Sequence, residues 1–407
     1  MGDTQKHTKP NVPNLRFPGF EGEWARCTLG EIGEPYIGLT YSPADVVNEG
    51  GSIVFRSSNI QNGEIDYSDI VRVNKKIKDI IITRKDDLLI CARNGSPRLI
   101  GKNALLKEAD GGQTFGAFML VFRSKDNHFV HQLLSTKGYY SQVSENLGAR
   151  INQITTSNIK DFEFYFPPSA AERNKIAQFL DLIDERISIQ NKVIEDLKKL
   201  KTAINNRFHD SIKNGVEASF SEIGTTYSGL SGKSSEDFGR GKPFVPYTNV
   251  FSNSVVDEED MGEVRIGENE KQNRVEYGDL LLTLSSETPN EVGVGAVYLG
   301  CCKELYLNSF CLGIHIVRKD IVLPTYLPYL VESKMFRRFI FPFAQGSTRY
   351  NLQKSDFEHK KITFPKIVEQ QRITEMLNSL SEKIVLESTV QARMYECKKA
   401  LLKILFI

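Results

Sequence analysis

At 407 residues, 40% of them hydrophobic and 25% charged, the chain is too long for one compact core and has the composition of an ordinary soluble protein of two or more domains. No apolar run approaches the roughly 20 residues of a membrane helix, which excludes a membrane-spanning role. The formal net charge of +1 excludes a global pull toward nucleic acid, so any DNA contact has to come from local basic clusters.

Residues 1–14 are polar and proline-containing, with no apolar segment of a secretory signal. They are expected to form a disordered lead on a protein that stays in the cytoplasm. The six cysteines (Cys27, Cys91, Cys301, Cys302, Cys311, Cys397) contain no Cys-x-x-Cys pair and have no histidine at zinc-finger spacing, so they read as buried thiols.

The first strong feature along the chain is an internal repeat. Residues 29–39 match residues 220–230 at an offset of 191, reproducing Glu31, Ile32, Gly33, Tyr36, Gly38 and Leu39. The match continues with residues 57–60 against 247–250 and 87–89 against 279–281. Residues 148–152 (Gly-Ala-Arg-Ile-Asn) then resemble residues 346–351 (Gly-Ser-Thr-Arg-Tyr-Asn), and Phe166-Pro167 and Phe364-Pro365 close the two modules. Within each module, short β-branched and aromatic runs (53–55, 88–90, 119–122; 280–282, 294–298, 312–317) predict a strand-rich sheet. Residues 128–142 and 325–339 have helical spacing, so the class is mixed α/β. Tyr36 and Tyr227 read as core residues; Asn59 and Asn249 fit a DNA contact or a turn equally well.

After each module comes a long helix. Ser169 and Glu172 form a capping box, and a 4-3 alternation follows through Ile176, Leu180, Ile183, Ile187, Gln190, Ile194, Leu197, Lys201, Ile204 and Phe208, stopping at Asn214-Gly215. A shift of 197 residues reproduces the register as Ile373, Leu377, Leu380, Ile384, Glu387, Gln391, Met394, Lys398, Leu401 and Leu405. Both helices carry a coiled-coil seam, and each is the other's nearest partner. Antiparallel pairing would set one module at each end of a rod of about 58 Å. The polar pairs Gln190/Glu387 and Lys201/Lys398 either fix the register or snorkel at the seam edge.

Two related modules on a rigid spacer suit a long periodic ligand, and duplex DNA fits, with each module reading one half-site. Between the matched islands the loops differ, as in residues 42–52 against 231–243, so the half-sites should differ too. Arginine and asparagine in glycine-rich loops discriminate guanine and adenine, while lysine, serine and threonine position phosphates. The candidates are Arg93, Asn94, Ser96 and Arg98; Arg150 and Asn152; Lys233, Arg240 and Lys242; and Gln345, Ser347, Thr348, Arg349, Asn351 and Lys354. On the helices, Lys192, Lys198, Lys199, Lys201, Lys383, Arg393, Lys398 and Lys399 face DNA, a partner or solvent. Catalytic signatures are missing. Gly232-Lys233-Ser234 lacks the upstream glycine of a phosphate loop, which is Tyr227 here. There is no Asn-Pro-Pro-aromatic motif for base methylation, no glycine-rich cofactor turn and no Pro-Asp nuclease pair. His128 and His131 have no acidic residue at ligand spacing and read as helix-face histidines, so no metal site is expected.

The opening Leu15-Arg16-Phe17-Pro18-Gly19-Phe20-Glu21-Gly22-Glu23-Trp24, the Leu-Gly-Glu-Ile segment after it, Gly278-Asp279-Leu280-Leu281, the 346–351 element and the proline-then-helix boundary with Glu369-Gln370 resemble the specificity subunit of a type I restriction-modification system. The resemblance covers residues 14 to 407. It implies two target-recognition domains separated by a pair of long, antiparallel coiled-coil helices: a lead at 1–14, recognition domains at 15–168 and 215–365, and helical spacers at 169–214 and 366–407. It further implies a non-catalytic subunit of a phage-defence complex. Such a chain binds double-stranded DNA at an asymmetric bipartite target, docks two methyltransferase subunits on its helices, and meets the translocase-nuclease subunits through that core. No cofactor is expected on this chain; S-adenosylmethionine, ATP and Mg belong to the partner subunits. The first repeat departs from the pattern at residues 148–152 and at Glu172-Arg173. Two other readings remain at this point. One is a protein-binding coiled-coil scaffold without sequence-specific recognition; the other is a chain that itself methylates or cuts DNA, which needs a motif the sequence lacks.

Overall fold

The computed structural model describes residues 11–147 and 152–407. It is a mixed helix and strand structure that divides into two compact units, one of residues 1–191 with 390–407 and the other of residues 192–389. The modules are linked by the first long helix, Ala170–Asp210, and the second long helix is Ile367–Leu405. No helix among the described residues is long and apolar enough to cross a membrane.

In the first unit the central sheet is antiparallel, in the order Glu34–Ile37, Met119–Arg123, Leu88–Cys91, Asn103–Leu105. The second unit repeats it as Gly224–Ser228, Cys311–Ile316, Leu280–Thr283, Gly295–Val297. A smaller sheet recurs as well. Ser52–Phe55 runs parallel to Thr114–Phe115 and antiparallel to Val71–Val73; Phe238–Val245 does the same with Tyr306–Leu307 and Gly262–Val264. A two-stranded ribbon, Ala25–Thr28 with Glu163–Phe166 or Val216–Ser219 with Lys361–Phe364, closes each module just before its long helix.

The repeated residues repeat because of what they touch. A Cβ on Gly38 would lie 2.2 Å from the Phe115 carbonyl oxygen, and one on Gly229 2.0 Å from that of Asn308, so neither position tolerates a side chain. Asn59 and Asn249 are both fully buried. Each amide donates to two backbone carbonyls, Asp66 and Asp69 in one module and Asp257 and Asp260 in the other. They are loop locks, not DNA contacts. The expected helices at 128–142 and 325–339 are each broken in two, as Asn127–Leu133 with Lys137–Glu145 and Leu327–Val331 with Lys334–Ile340. The repeat-equivalent residues Thr136 and Ser333 cap the second segments, accepting the Tyr139 and Phe336 amides.

Each unit encloses the start of one long helix and the end of the other, running antiparallel. In the first unit Asp184 pairs with Lys398 and Asn191 with Gln391, so seven residues up one helix match seven down the other. Ile176, Leu180, Ile187, Ile194, Ile373 and Leu377 are buried; Ile183, Leu197, Ile204, Leu380, Ile384, Met394 and Leu401 are half-buried. Lys201 turns to Glu332 of the second module, 3.4 Å away. The first helix stops at Asp210, short of Asn214-Gly215.

The helix ends complete the cores. Leu402, Leu405 and Phe406 enter the first module's core, where Phe406 meets Phe129 with ring centroids 5.3 Å apart and Trp24 at 6.4 Å. His209 and Tyr326 hold the same places in the second unit, 197 residues away from Phe406 and Phe129 respectively. They stack at 5.6 Å and add a hydrogen bond of 2.7 Å between the Tyr326 hydroxyl and His209 Nε2. The opening motif clamps the first unit. Leu15 N donates to the Ile404 carbonyl, Phe17 packs edge-on against Phe179, and Arg16 makes a bidentate pair with the buried Glu172. Ser169 caps the Glu172 amide, but the carboxylate goes to Arg16 instead of completing the expected capping box. At the departure from the repeat pattern, Arg173 and Gln370 do the same work: both donate to a proline carbonyl just before their helix, Pro167 and Pro365.

Two outcomes are expected from this packing. Phe406→Ala removes a buried ring and is expected to destabilise the first unit by about 3–5 kcal/mol, read as a lower denaturation midpoint. His209 is held below the ordinary histidine range mainly by burial, so it contributes stability above its unfolded pKa and loses it as pH falls. His209→Phe, which copies the other repeat, should therefore show a smaller drop in Tm than the parent between about pH 7.5 and about pH 5.5.

Candidate nucleic-acid interface

The Asp of the matched Asp-Leu-Leu island anchors the central sheet in both modules. Asp87 takes a bidentate pair from Arg123, whose guanidinium lies 5.1 Å over the Tyr36 ring. Asp279 accepts the Tyr227 hydroxyl at 2.7 Å and contacts His315 Nδ1 at 2.9 Å, with Tyr227 stacked on His315 at 4.2 Å. Burial raises the Asp279 carboxyl above its usual range. The Tyr-Asp-His set has catalytic residue types, yet its counterpart is a Tyr-Asp-Arg latch, which marks both as structural. Tyr227 is buried and Tyr36 half-buried.

Just past the end of the central strand Leu88–Cys91 the structure brings together Arg93, Asn94, Ser96 and Asn152, with Arg98 on the short helix that follows. Arg93 bridges to Gln153, and the Asn152 amide donates to the Gly95 carbonyl at 3.0 Å. Asn94 donates to Ser57 Oγ and accepts the Ser96 amide, so Asn94 and Asn152 shape this loop with the groups expected to read bases. Arg93 and Arg98 are exposed. Arg150 lies outside the described residues.

The second module builds the corresponding place from a hairpin, in which Ser285–Ser286 pairs with Tyr350–Leu352 and that strand with Ala344–Gln345. Gln345, Ser347, Thr348, Arg349 and Asn351 are exposed on it, and the half-buried Lys354 starts the helix after it. Lys233, Arg240 and Lys242 belong elsewhere, on and before the strand Phe238–Val245. The Lys233 side chain is only 8% exposed and is spent on Glu270 at 2.5 Å and the Arg265 carbonyl. Lys242 is paired with Glu304. Of these three only Arg240 is both exposed and without an ion pair among the described residues.

Sequence reasoning missed two residues of this surface. Phe118 and Phe310 are 57% and 54% exposed, the two most exposed phenylalanines among the described residues. They stand 192 residues apart, immediately before the matched strands Met119–Arg123 and Cys311–Ile316. Arg93 lies over the Phe118 ring at 4.9 Å and Arg349 over the Phe310 ring at 5.7 Å. The usable signal was their shared offset, hidden because each looks like one more apolar residue of the strand behind it.

The histidine and cysteine readings change. His128 does have acidic partners, Asp181 from the long helix at 2.6 Å and Asp86 at 3.2 Å, and the hydrogen bond to Asp181 chiefly raises its pKa. His131 groups with Asp181 and Asp184, their ligand atoms all within 4.8 Å, and burial pushes its imidazole down to about 4. Of the described residues these three are the grouping of metal-ligand type. Gln132 already donates to both carboxylates and Lys398 to Asp184, so a cation built into the fold offsets one of the two carboxylate charges. Cys91 and Cys311 are buried thiols, pushed up to about 11 and about 12 by burial, whereas Cys301 and Cys397 are exposed and Cys27 and Cys302 half-buried.

Comparison with known proteins identifies the family of the chain. A family model described as the type I restriction modification DNA specificity domain matches residues 21–199 and again 235–394. The type I restriction enzyme EcoKI specificity subunit of Escherichia coli K12 is 24% identical over 387 residues, covering 88% of this chain and 82% of that protein. The StySPI specificity subunit of Salmonella potsdam is 25% identical over 185 residues, 44% of this chain and 40% of that one. Among solved structures, the type I restriction-modification S subunit from M. genitalium covers 97% of this chain and 99% of its own with a TM-score of 0.54 at 18% identity. A chain from work on complex assembly and conformational transition of the type I system covers 95% and 98% with a TM-score of 0.56 at 17% identity. The chain belongs to the type I restriction-modification DNA specificity family, that of the specificity subunits.

Proposed function

We propose that this chain is the DNA-reading subunit of a type I restriction-modification complex and recognises an asymmetric, bipartite duplex target, one half-site per module. The observation that carries this reading is a duplicated scaffold with unduplicated loops. Both modules have the same central sheet order, while Arg93-Asn94-Gly95 just past the central strand in one stands against Ser285-Ser286-Glu287 in the other. Equal scaffolds with unequal reading loops specify two different half-sites. The chain contributes recognition and no chemistry, as in its family of non-catalytic subunits; S-adenosylmethionine, ATP and Mg act on the partner subunits, in the cytoplasm.

The long helices supply the docking surface for two methyltransferase subunits, and the translocase-nuclease subunits join through that core. In favour of this is an apolar stripe facing away from the seam. On the first helix Leu182 and Ile189 of the first unit are 60% and 50% exposed and Val193 and Leu200 of the second are 38% and 48% exposed, each pair seven residues apart and so on one face of the helix within its unit. On the second helix Val385 and Leu386 are 65% and 57% exposed. Apolar side chains lined up in water mark a face for a partner.

Mapping methylated adenines genome-wide with and without this gene is expected to show the loss of one bipartite motif. Replacing residues 220–360 with those of a relative should change one half of that motif only. An unchanged set of motifs on deletion would sink the reading, and methylation without sequence preference would favour the scaffold alternative. Ile189→Glu puts a charge on the exposed stripe without touching the seam. It is expected to abolish co-purification with the methyltransferase subunit while leaving the chain's own Tm within a few degrees.

A further inference from the structure

Phe118 and Phe310 occupy the same point of the repeated scaffold. The Phe118 carbonyl accepts the Ala92 amide and the Phe310 carbonyl the Leu284 amide, both at 2.9 Å, and Ala92 and Leu284 are again 192 residues apart. Backbone and ring are thus presented alike in both modules, next to the loops that carry the exposed arginines. A single exposed apolar side chain is unremarkable. Here, however, the same exposed ring has survived in both copies while the loops around it diverged.

The cation above each ring argues further. Arg93 and Arg349 are not repeat equivalents: the residue 192 positions after Arg93 is Ser285. Arg349 comes from the turn of the facing hairpin, just before its strand Tyr350–Leu352, and its Nε donates to that same Ser285 at 2.8 Å. The ring is common to both copies, but its guanidinium arrives by two different routes. In the second module the Nε bond leaves both terminal nitrogens free for a base edge or phosphate. Among the described residues no carboxylate pairs with either arginine.

A guanidinium on one face constrains what the ring can do. A wedge that opens a base step needs both faces free, and here one is covered at 4.9 or 5.7 Å. What remains is the other face and the edge. In the major groove the apolar group available to such a surface is the 5-methyl of thymine.

We propose that Phe118 and Phe310 are the thymine-reading residues of the two modules, each packing against the 5-methyl group of one thymine in its half-site. The arginines are positioning residues that hold the rings. This rests on the DNA-reading function above and adds to it a base and an atom.

The test uses the complete complex with its methyltransferase partner, binding duplexes that carry the methylated target with single thymines replaced by uracil, which lacks only that methyl group. For the parent complex, one uracil in each half-site should weaken binding roughly four-fold, as expected for one buried methyl group. Phe118→Ala should abolish that sensitivity in one half-site and Phe310→Ala in the other, while Phe118→Leu and Phe310→Leu retain part of it. Both side chains are exposed, and a thermal melt of each variant checks that it folds. A parent complex that reads its target but ignores every uracil, or a half-site without any A·T pair, overturns this proposal alone. So does an alanine variant that keeps the sensitivity. A parent complex with no sequence preference overturns both this and the function it rests on.

Discussion

The seam between the two long helices is the constraint on which the rest depends. A helix of 41 residues with an apolar stripe interrupted only by Gln190 and Lys201 is costly to leave in water and has to find a second stripe. The antiparallel solution does more than bury the seam. It delivers the end of each helix to a core it did not begin from: Leu402, Leu405 and Phe406 join the first unit, and Ile204 and Phe208 pack on the core of the second. Neither module owns all of its hydrophobic core. Each module's core is therefore complete only once the two helices have paired.

Around that support the repeat behaves as a scaffold of equivalent jobs more than of equivalent residues. Arg123 and His315 both hold the buried aspartate of the central sheet. Arg173 and Gln370 both tie a helix start to a proline carbonyl, and Phe406 and His209 both fill the ring position at a helix end. Each substitution keeps the contact and changes its chemistry, from a permanent charge to a titratable one or from an apolar ring to a polar ring with a hydrogen bond. Packing geometry was held while identity drifted, as expected where close-packed interiors punish lost volume more than changed polarity, provided the polar group finds a partner.

Most of this support was legible in the sequence, because it rests on periodicity. Leu88, Leu280 and their neighbours announce strands as short unbroken apolar runs, and Ile176 through Leu405 announce a seam by their spacing. The reading surface was far less legible. Whether Asn94 faces DNA or Ser57, and whether Lys233 faces phosphate or Glu270, depends on residues dozens of positions away that only the fold brings near. His128 and His131 looked unpartnered because their carboxylates, Asp181 and Asp184, come from the long helix. Glu172 satisfied the local rule for a cap and was claimed by Arg16, 156 residues earlier. Local patterns fix elements; competition for a charged or polar group is settled in three dimensions.

The paired contacts Asp184 with Lys398 and Asn191 with Gln391 also limit how such a chain can be inherited. An insertion in one long helix slides every later side chain along its partner and rotates the stripe by about 100° per residue. An equal insertion in the other helix, close to a whole number of heptads, restores both register and phase. Two stretches of the gene nearly two hundred codons apart are therefore free to lengthen only together and only in discrete steps. Loops such as residues 94–98 are held by contacts within their own module, to Ser57 and Asn152, and carry no such register. The helices change length only in whole steps, while the loops of each module change one residue at a time.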